Sequence, residues 1–300
     1  MRLKIRHETI YTFETPASAV IQTLRVTPRG HEGQHVVHWR LDVDHNCRLR
    51  QSEDAFGNYT HVFASEGHIE RLTVLVEGEV DTQDTGGVVR GAVERFPPAL
   101  YLRETDLTAP DLDIAAFALE AEAAGKGDRL GTLHALLSGV HERMTFEAGP
   151  TDSATTAAQA FGMKRGVCQD LTHVFLAASR RLNIPARYVG GYVRREPAAL
   201  DGAGMTQSID ADGMRQSLAG PTEESAGHAW AEAFVPDLGW VGFDPANCVC
   251  ATEAHVRVAI GLDYLSAAPV RGTRYGGGGE TLEVNVSVED ARAKRAFRRA

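Results

Sequence analysis

The apolar residues of this chain change their period at one place, Arg95-Phe96-Pro97-Pro98. Upstream they recur at every second position, as in Leu3 and Ile5, then Ile10, Tyr11 and Phe13, and later Leu72, Val74 and Val76 set against Thr73, Leu75 and Glu77. Successive side chains of a strand point to opposite faces, so this is strand patterning. Further strands are expected at 21–26, 36–43, 47–51 and 59–63, with Asp54-Ala55-Phe56-Gly57-Asn58 as a hairpin loop in which Gly and Asn accept positive φ. Six short strands without a helix predict an antiparallel, sandwich-like all-β domain over residues 1–95. The two prolines then open a connector over 96–110.

Downstream the period is helical. Segments 111–124 and 128–144 read as helices separated by Gly125-Lys126-Gly127, the second with Leu130, Leu133, Leu136, Leu137 and Val140 on one side. A third starts at Cys168, because Leu171, Val174, Phe175, Ala178 and Leu182 fall on one helical face, and Asn183-Ile184-Pro185 ends it. Segment 186–193 follows as a strand whose paired glycines permit close backbone approach. Residues 196–226 are rich in Ala, Gly, Ser and Asp without periodicity, and are expected to form a loop, either disordered or a lid that selects the substrate. His228-Ala229-Trp230-Ala231-Glu232-Ala233-Phe234-Val235 and Gly239-Trp240-Val241-Gly242-Phe243-Asp244-Pro245 then form a hairpin about Pro236-Asp237-Leu238, a last strand covers 281–288, and 291–300 is a basic, solvated tail. The expected organisation is α+β, with a core over 111–290.

Composition narrows the function. With 31 Lys and Arg against 40 Asp and Glu the net charge is −9, which argues against nucleic acid or an acidic membrane as partner. No run of about 18 apolar residues could span a bilayer, and the charged start Met1-Arg2-Leu3-Lys4-Ile5-Arg6-His7 builds no signal-peptide h-region, so a cytoplasmic location is expected. The four cysteines at 47, 168, 248 and 250 lack a zinc-site spacing. Asp42 and Asp44 beside His45 alternate onto a solvent face, and His134 and His141 have no third partner on their helix, so no metal is expected.

The chemistry gathers at Cys168. A thiol in a first helical turn faces unpaired N–H groups and the positive end of the helix dipole, which favour the thiolate. His228 opens one strand of the predicted hairpin and Asp244 closes the other, so their side chains can become neighbours. Nucleophile, base and orienter are the parts that acyl transfer requires. Asp170 can cap the helix or bind substrate, His173 falls on its far side in a structural role, Tyr188 and Trp230 flank the sheet site, and Cys248 and Cys250 stand just past Asp244 as structural residues.

Four blocks carry a family resemblance: Gly166-Val167-Cys168-Gln169-Asp170, Ile184-Pro185-Ala186-Arg187-Tyr188-Val189-Gly190-Gly191-Tyr192, Gly227-His228-Ala229-Trp230-Ala231-Glu232 and Trp240-Val241-Gly242-Phe243-Asp244-Pro245-Ala246-Asn247. In this order they resemble the bacterial transglutaminase-like superfamily, and residues 3–13 and 54–58 are similar to the β domain that precedes the core in its cysteine-protease branch. The resemblance implies a papain-like core, a Cys-bearing helix on an antiparallel sheet, with Cys168 as nucleophile, His228 as base and acid and Asp244 as orienter. It implies thioester chemistry on a peptide or protein amide without a cofactor: hydrolysis of a peptide or isopeptide bond first, transamidation as alternative. It also implies association with operons that carry ATP-grasp-like proteins. The calcium sites of animal transglutaminases have no counterpart here, nor has their oxyanion tryptophan, which leaves Gln159, Gln169, Asp170, Tyr188 and Trp230 as candidates for oxyanion or substrate contacts. The rival reading, a non-catalytic peptide-binding module, expects one of the three reactive residues missing or misplaced.

Overall fold

A computed structural model describes residues 1–195, 205–209, 216–219 and 227–292, with 205–209 and 216–219 as backbone. The elements run β1 (Arg2–Thr27), β2 (Gln34–Val43), β3 (Arg50–Glu53), β4 (Tyr59–Thr82) and β5 (Val88–Val89), then α1 (Leu112–Ala124), α2 (Arg129–Arg143), β6 (Thr145–Phe146), α3 (Ala157–Met163), β7 (Arg165–Gly166) and α4 (Cys168–Arg181). They continue as β8 (Ala186–Val193), β9 (Met205–Ile209), β10 (Gln216–Ala219), β11 (His228–Val235), β12 (Gly239–Asp244), β13 (Val249–Cys250), β14 (His255–Gly261), α5 (Tyr264–Ala267), β15 (Val270–Gly276) and β16 (Glu280–Asp290).

The first region is one antiparallel sheet, ordered β10-β9-β16-β1-β4-β2, with β15 also on β1 and β3 on β4. The expected strands at 3–13 and 21–26 fuse into β1, and those at 59–63 and 72–76 into β4, while those at 36–43 and 47–51 stand apart as β2 and β3. Pairing of β1 with β4 lapses only between Thr12 and Ala17, around Pro16, which has no N–H to give a ladder, and at the bulges nearer Thr27. The first lapse divides the strand: residues 3–13 pair β16 and residues 17–24 pair β15. Phe13, Val20, Leu24, Phe63, Leu72 and Val74 build a cluster of their own, whereas Leu3, Ile5 and Val80 join the helical core. The strand expected at 281–288 and β15, which was not expected, both lie in the span assigned to the core by sequence and complete the N-terminal sheet. Their alternation is strand-like, and alternation alone does not say which edge a strand joins. The expected loop over 196–226 carries β9 and β10, antiparallel to each other, with β9 also on β16. The remainder of that loop, and residues 293–300 of the basic tail, lie outside the described residues.

The second region packs helices on the sheet β13-β12-β11-β8-β14, to which β5 also pairs through β12. Asp111 and Asp128 cap α1 and α2 by accepting from Ile114 N–H at 2.9 Å and Gly131 N–H at 2.7 Å. Helix α4 ends as expected: Asn183 takes φ 58°, a left-handed conformation that Asn tolerates, just before Pro185. Its predicted single buried face is an underestimate, since every residue from Asp170 to Arg180 is buried. Of the polar ones, Thr172 Oγ1 and Ser179 Oγ have no hydrogen-bond partner among the described residues, whereas Arg180 is fully engaged. Arg180 donates to the carbonyls of Tyr101, Ala186 and Leu262 and to Thr108 Oγ1, which ties the connector, the start of β8 and the residue after β14 to the helix.

Side-chain amides join the two regions. Gln34 gives its Nε2 to Arg257 O and takes Arg257 N–H, both at 2.8 Å, and Asn58 repeats the pattern on Ile260, again at 2.8 Å each way. Each amide thus fills one donor and one acceptor of β14, whose edge would otherwise be left bare.

Candidate active site

Local sequence fixes the start of α4. The Asp170 carboxylate turns back to accept from Val167 N–H at 2.8 Å and Thr151 Oγ1 at 2.7 Å. Gly166 makes room, for a Cβ there would lie 2.6 Å from Asp170 Oδ2. Asp170 is thus a cap that aims Cys168 rather than a lining residue, and burial pushes its carboxyl up to about 6 despite these donors. His173, also fully buried, accepts from Tyr264 N–H at 3.0 Å through Nε2 and rests on Tyr188, with its ring centroid 5.4 Å away.

The hairpin β11–β12 turns at Asp237 and Gly239, both at positive φ, and its register makes His228 and Asp244 diagonal neighbours on one sheet face. His228 Nε2 lies 2.7 Å from Asp244 Oδ2. Burial lowers the imidazole's pKa, but the Asp244 charge and hydrogen bond outweigh it, with smaller contributions from the Cys168 thiol, and hold His228 well above its ordinary value. Burial likewise opposes ionisation of Asp244, yet His228 and then His255 keep it well below the usual carboxylate range. With Nε2 committed to Asp244, Nδ1 is the imidazole nitrogen left for the thiol.

Asp244 is a hub that the sequence showed only in part. Its Oδ2 also takes Asn247 Nδ2 at 2.6 Å and His255 Nε2 at 3.1 Å, while Oδ1 takes the N–H groups of Ala246 and Asn247 at 3.1 and 3.2 Å. Donor atoms of His228, Asp244 and His255 lie within 4.8 Å of one another, close enough to suggest a cation site. The tautomer argues otherwise: Thr252 N–H donates to His255 Nδ1 at 3.1 Å, which puts the imidazole proton on Nε2, the atom a cation would need. The three residues therefore read as a hydrogen-bonded chain.

Cys168 and His228 open into a cavity of about 310 Å³, whose walls come from both regions. Gln169, Tyr188, Tyr192 and Tyr264 line it on the core side, and His7, Thr9, Tyr11, Leu282 and Val284 on the side of the N-terminal sheet. Trp230 does not line it. That indole is buried among Tyr101, Val189, Trp240 and Ile260, where it stacks on the His228 ring at 6.2 Å and meets the His255 ring edge-on at 5.2 Å. Gln159 is spent on the cap of α3, taking Thr156 N–H at 2.9 Å. Cys248 and Cys250 are free thiols beyond Asp244. His134 packs edge-on against Phe243 and His141 sits 3.3 Å from Pro245 O.

His255, Asn247 and the whole far wall of the cavity were not expected from the sequence. A signal for the last existed. Leu3, Ile5, His7, Thr9 and Tyr11 share one strand parity, and the run turns from apolar to polar while the first four stay buried.

Comparison with known proteins agrees with this architecture. The profile of the bacterial transglutaminase-like N-terminal region matches residues 3–81, and that of the transglutaminase-like superfamily matches residues 118–245. An uncharacterized protein of Mycobacterium leprae is 28% identical over 296 residues, which covers 96% of this chain and 98% of that protein. One of Mycobacterium tuberculosis is 27% identical over 307 residues, covering 96% and 92%. The crystal structure named "Putative Cysteine Protease from Cytophaga hutchinsonii" shares the fold at a TM-score of 0.69 and 19% identity, covering 97% of this chain and 91% of that one. Among the described residues no helix is long and apolar enough to cross a membrane. With its Cys-led helix on an antiparallel sheet, its preceding β region and both profiles in matching order, the chain belongs to the transglutaminase-like superfamily.

Proposed function

We propose that the protein is a cysteine-dependent acyl hydrolase acting on a peptide or isopeptide amide through a thioester. The observation that carries this reading is the juxtaposition, at one cavity, of a helix-start thiol with an imidazole that Asp244 orients and keeps strongly basic. His228 takes the thiol proton, and the imidazolium stabilises the thiolate. Sγ of Cys168 attacks the carbonyl carbon, and the amine departs with the proton from His228. Water, deprotonated by His228, then opens the thioester to the acid and the free thiol.

Two donors suit the oxyanion. Cys168 N–H heads the helix without an intrahelical acceptor. The Tyr188 phenol is buried, faces the cavity and has no hydrogen-bond partner among the described residues. Gln169, also on the cavity wall, is placed for substrate contact. Transamidation shares every step until the thioester meets an amine in place of water. The cavity with its paired imidazole and thiol speaks against a purely binding module.

Single-turnover reaction with an activated acyl ester tests the mechanism. The unsubstituted protein is expected to give a stoichiometric burst that Cys168→Ala abolishes without loss of fold, and an unchanged burst would sink the mechanism. Added amines that divert the acyl group from acid to amide would shift the reading to transamidation.

A further inference from the structure

We propose that the N-terminal sheet forms the recognition wall for the acyl donor, and that it selects a peptide with uncharged, apolar side chains beside the amide that Cys168 attacks. The proposal rests on the reading of Cys168 as nucleophile. Strand register builds the wall: Thr9 pairs with Val284 and Tyr11 with Leu282, and all four line the cavity that contains Cys168. The same parity carries Leu3 and Ile5 into the helical core, so the wall is anchored to the core that holds the thiol. His7 fastens it from within, with Nδ1 at 2.9 Å from Tyr192 Oη on β8 and Nε2 at 3.0 Å from Thr9 Oγ1.

The charge of the lining points to the substrate class. Burial holds His7 down at about 4 and raises Tyr11 and Tyr192, so all three are neutral near pH 7. Arg25 Nε is paired with Asp54 at 2.9 Å. Asp152 accepts from Ala154 N–H at 2.9 Å and from Thr155 Oγ1 at 3.0 Å, and Arg195 is engaged in an interaction of its own. A charged side chain laid along Thr9, Tyr11, Leu282 and Val284 would lose water against a wall of neutral and apolar groups. An apolar one gains burial, and about 300 Å³ is the lower size of a binding pocket.

The test is alkylation of Cys168 by peptidyl chloromethyl ketones, in which the thiolate forms an S–C bond and chloride leaves. A reagent with Phe at the residue next to the ketone is expected to react at least about 10-fold faster than one with Glu or Lys, the discrimination a pocket of this kind gives. Val284→Trp should slow the Phe reagent about 10-fold by filling the wall, a larger factor than it imposes on iodoacetamide, whose small acetamide group needs little of the cavity. Val284→Ala, which removes only volume, should move the preference toward a 2-naphthylalanine reagent and serves if the larger substitution does not fold. Equal rates for Phe and charged reagents, or a size preference that Val284→Ala leaves untouched, would overturn the proposal alone. Failure of iodoacetamide to select Cys168 in the unsubstituted protein would overturn the nucleophile reading with it.

Discussion

Two buried carboxylates lie on one face of the core sheet and are partnered in opposite ways. Glu232 is held by guanidinium groups, Arg187 Nε at 2.6 Å and Arg257 Nε at 2.7 Å, and Arg187 reaches on to Glu94 at 2.7 Å and stacks 3.9 Å from the Trp240 ring. Asp244 is held by two imidazoles and an amide. Strand alternation puts Trp230 on β11 between Glu232 and His228, the imidazole that meets Asp244. Gly191 opens the path across β8, since a Cβ there would lie 2.7 Å from the Trp230 ring and would run into the Val256 carbonyl. Burial opposes ionisation of both acids, and their partners override it: the arginines hold Glu232 at about 2, and the imidazoles hold Asp244 well below its ordinary range. The distinction is in the partners, because a guanidinium keeps its proton and an imidazole can give it away. Asp170 supplies a third case. Its Oδ2 takes both neutral donors, its Oδ1 has no partner among the described residues, and burial wins.

Four substitutions break or sharpen this contrast. Asp244→Asn removes the orienting charge and is expected to lower the acylation rate about 10⁴-fold, read by the single-turnover burst, with the circular dichroism of the unsubstituted protein. Glu232→Gln should do the reverse. It leaves Arg187 buried with less than its counter-charge and costs about 3–5 kcal/mol in denaturant unfolding, while the folded fraction keeps its burst. His255→Phe should slow acylation about 10-fold, as loss of one hydrogen bond to a charged group worth about 1.5–3 kcal/mol allows. His255→Gln, which can still donate to Asp244, should recover most of the rate, and a failure of that rescue would refute an orienting role for the imidazole.

The smallest effect is a pH dependence. The folded carboxyl of Asp170, at about 6, lies above its ordinary value, so the folded state binds this proton more tightly than the unfolded chain does. That contribution is complete below the ordinary carboxylate range and is lost as pH rises through about 6. Asp170→Asn should flatten this part of the profile between pH 4 and 7, measured by urea unfolding midpoints. An unchanged slope would assign the dependence to another group.

How much of this could be read in the sequence follows from range. Helices α1, α2 and α4 carry their own boundaries in Asp111, Asp128 and Asn183-Ile184-Pro185, and all three were legible to within a residue or two. His228 and Asp244 were legible as a pair because one hairpin brings them together, 16 residues apart. His255 was not, since its link to Asp244 depends on strands β8 and β14 that no local pattern orders. Helix α3 was hidden by its brevity. The joining of β15 and β16 to β1 rests on partners more than 200 residues away, and periodicity says nothing about such distances.

That long-range pairing has a consequence in time. During synthesis β1 emerges first, yet the strand completing its cavity-facing side, β16, is made some 250 residues later. A ribosome adding about 5–20 residues per second leaves the early strand waiting for many seconds with a bare edge. The thiol and its imidazole can assemble on the core sheet in that interval, but the wall opposite them cannot close. A nascent chain of this protein would thus carry Cys168 and His228 before it carries Leu282 and Val284, which line the cavity opposite them.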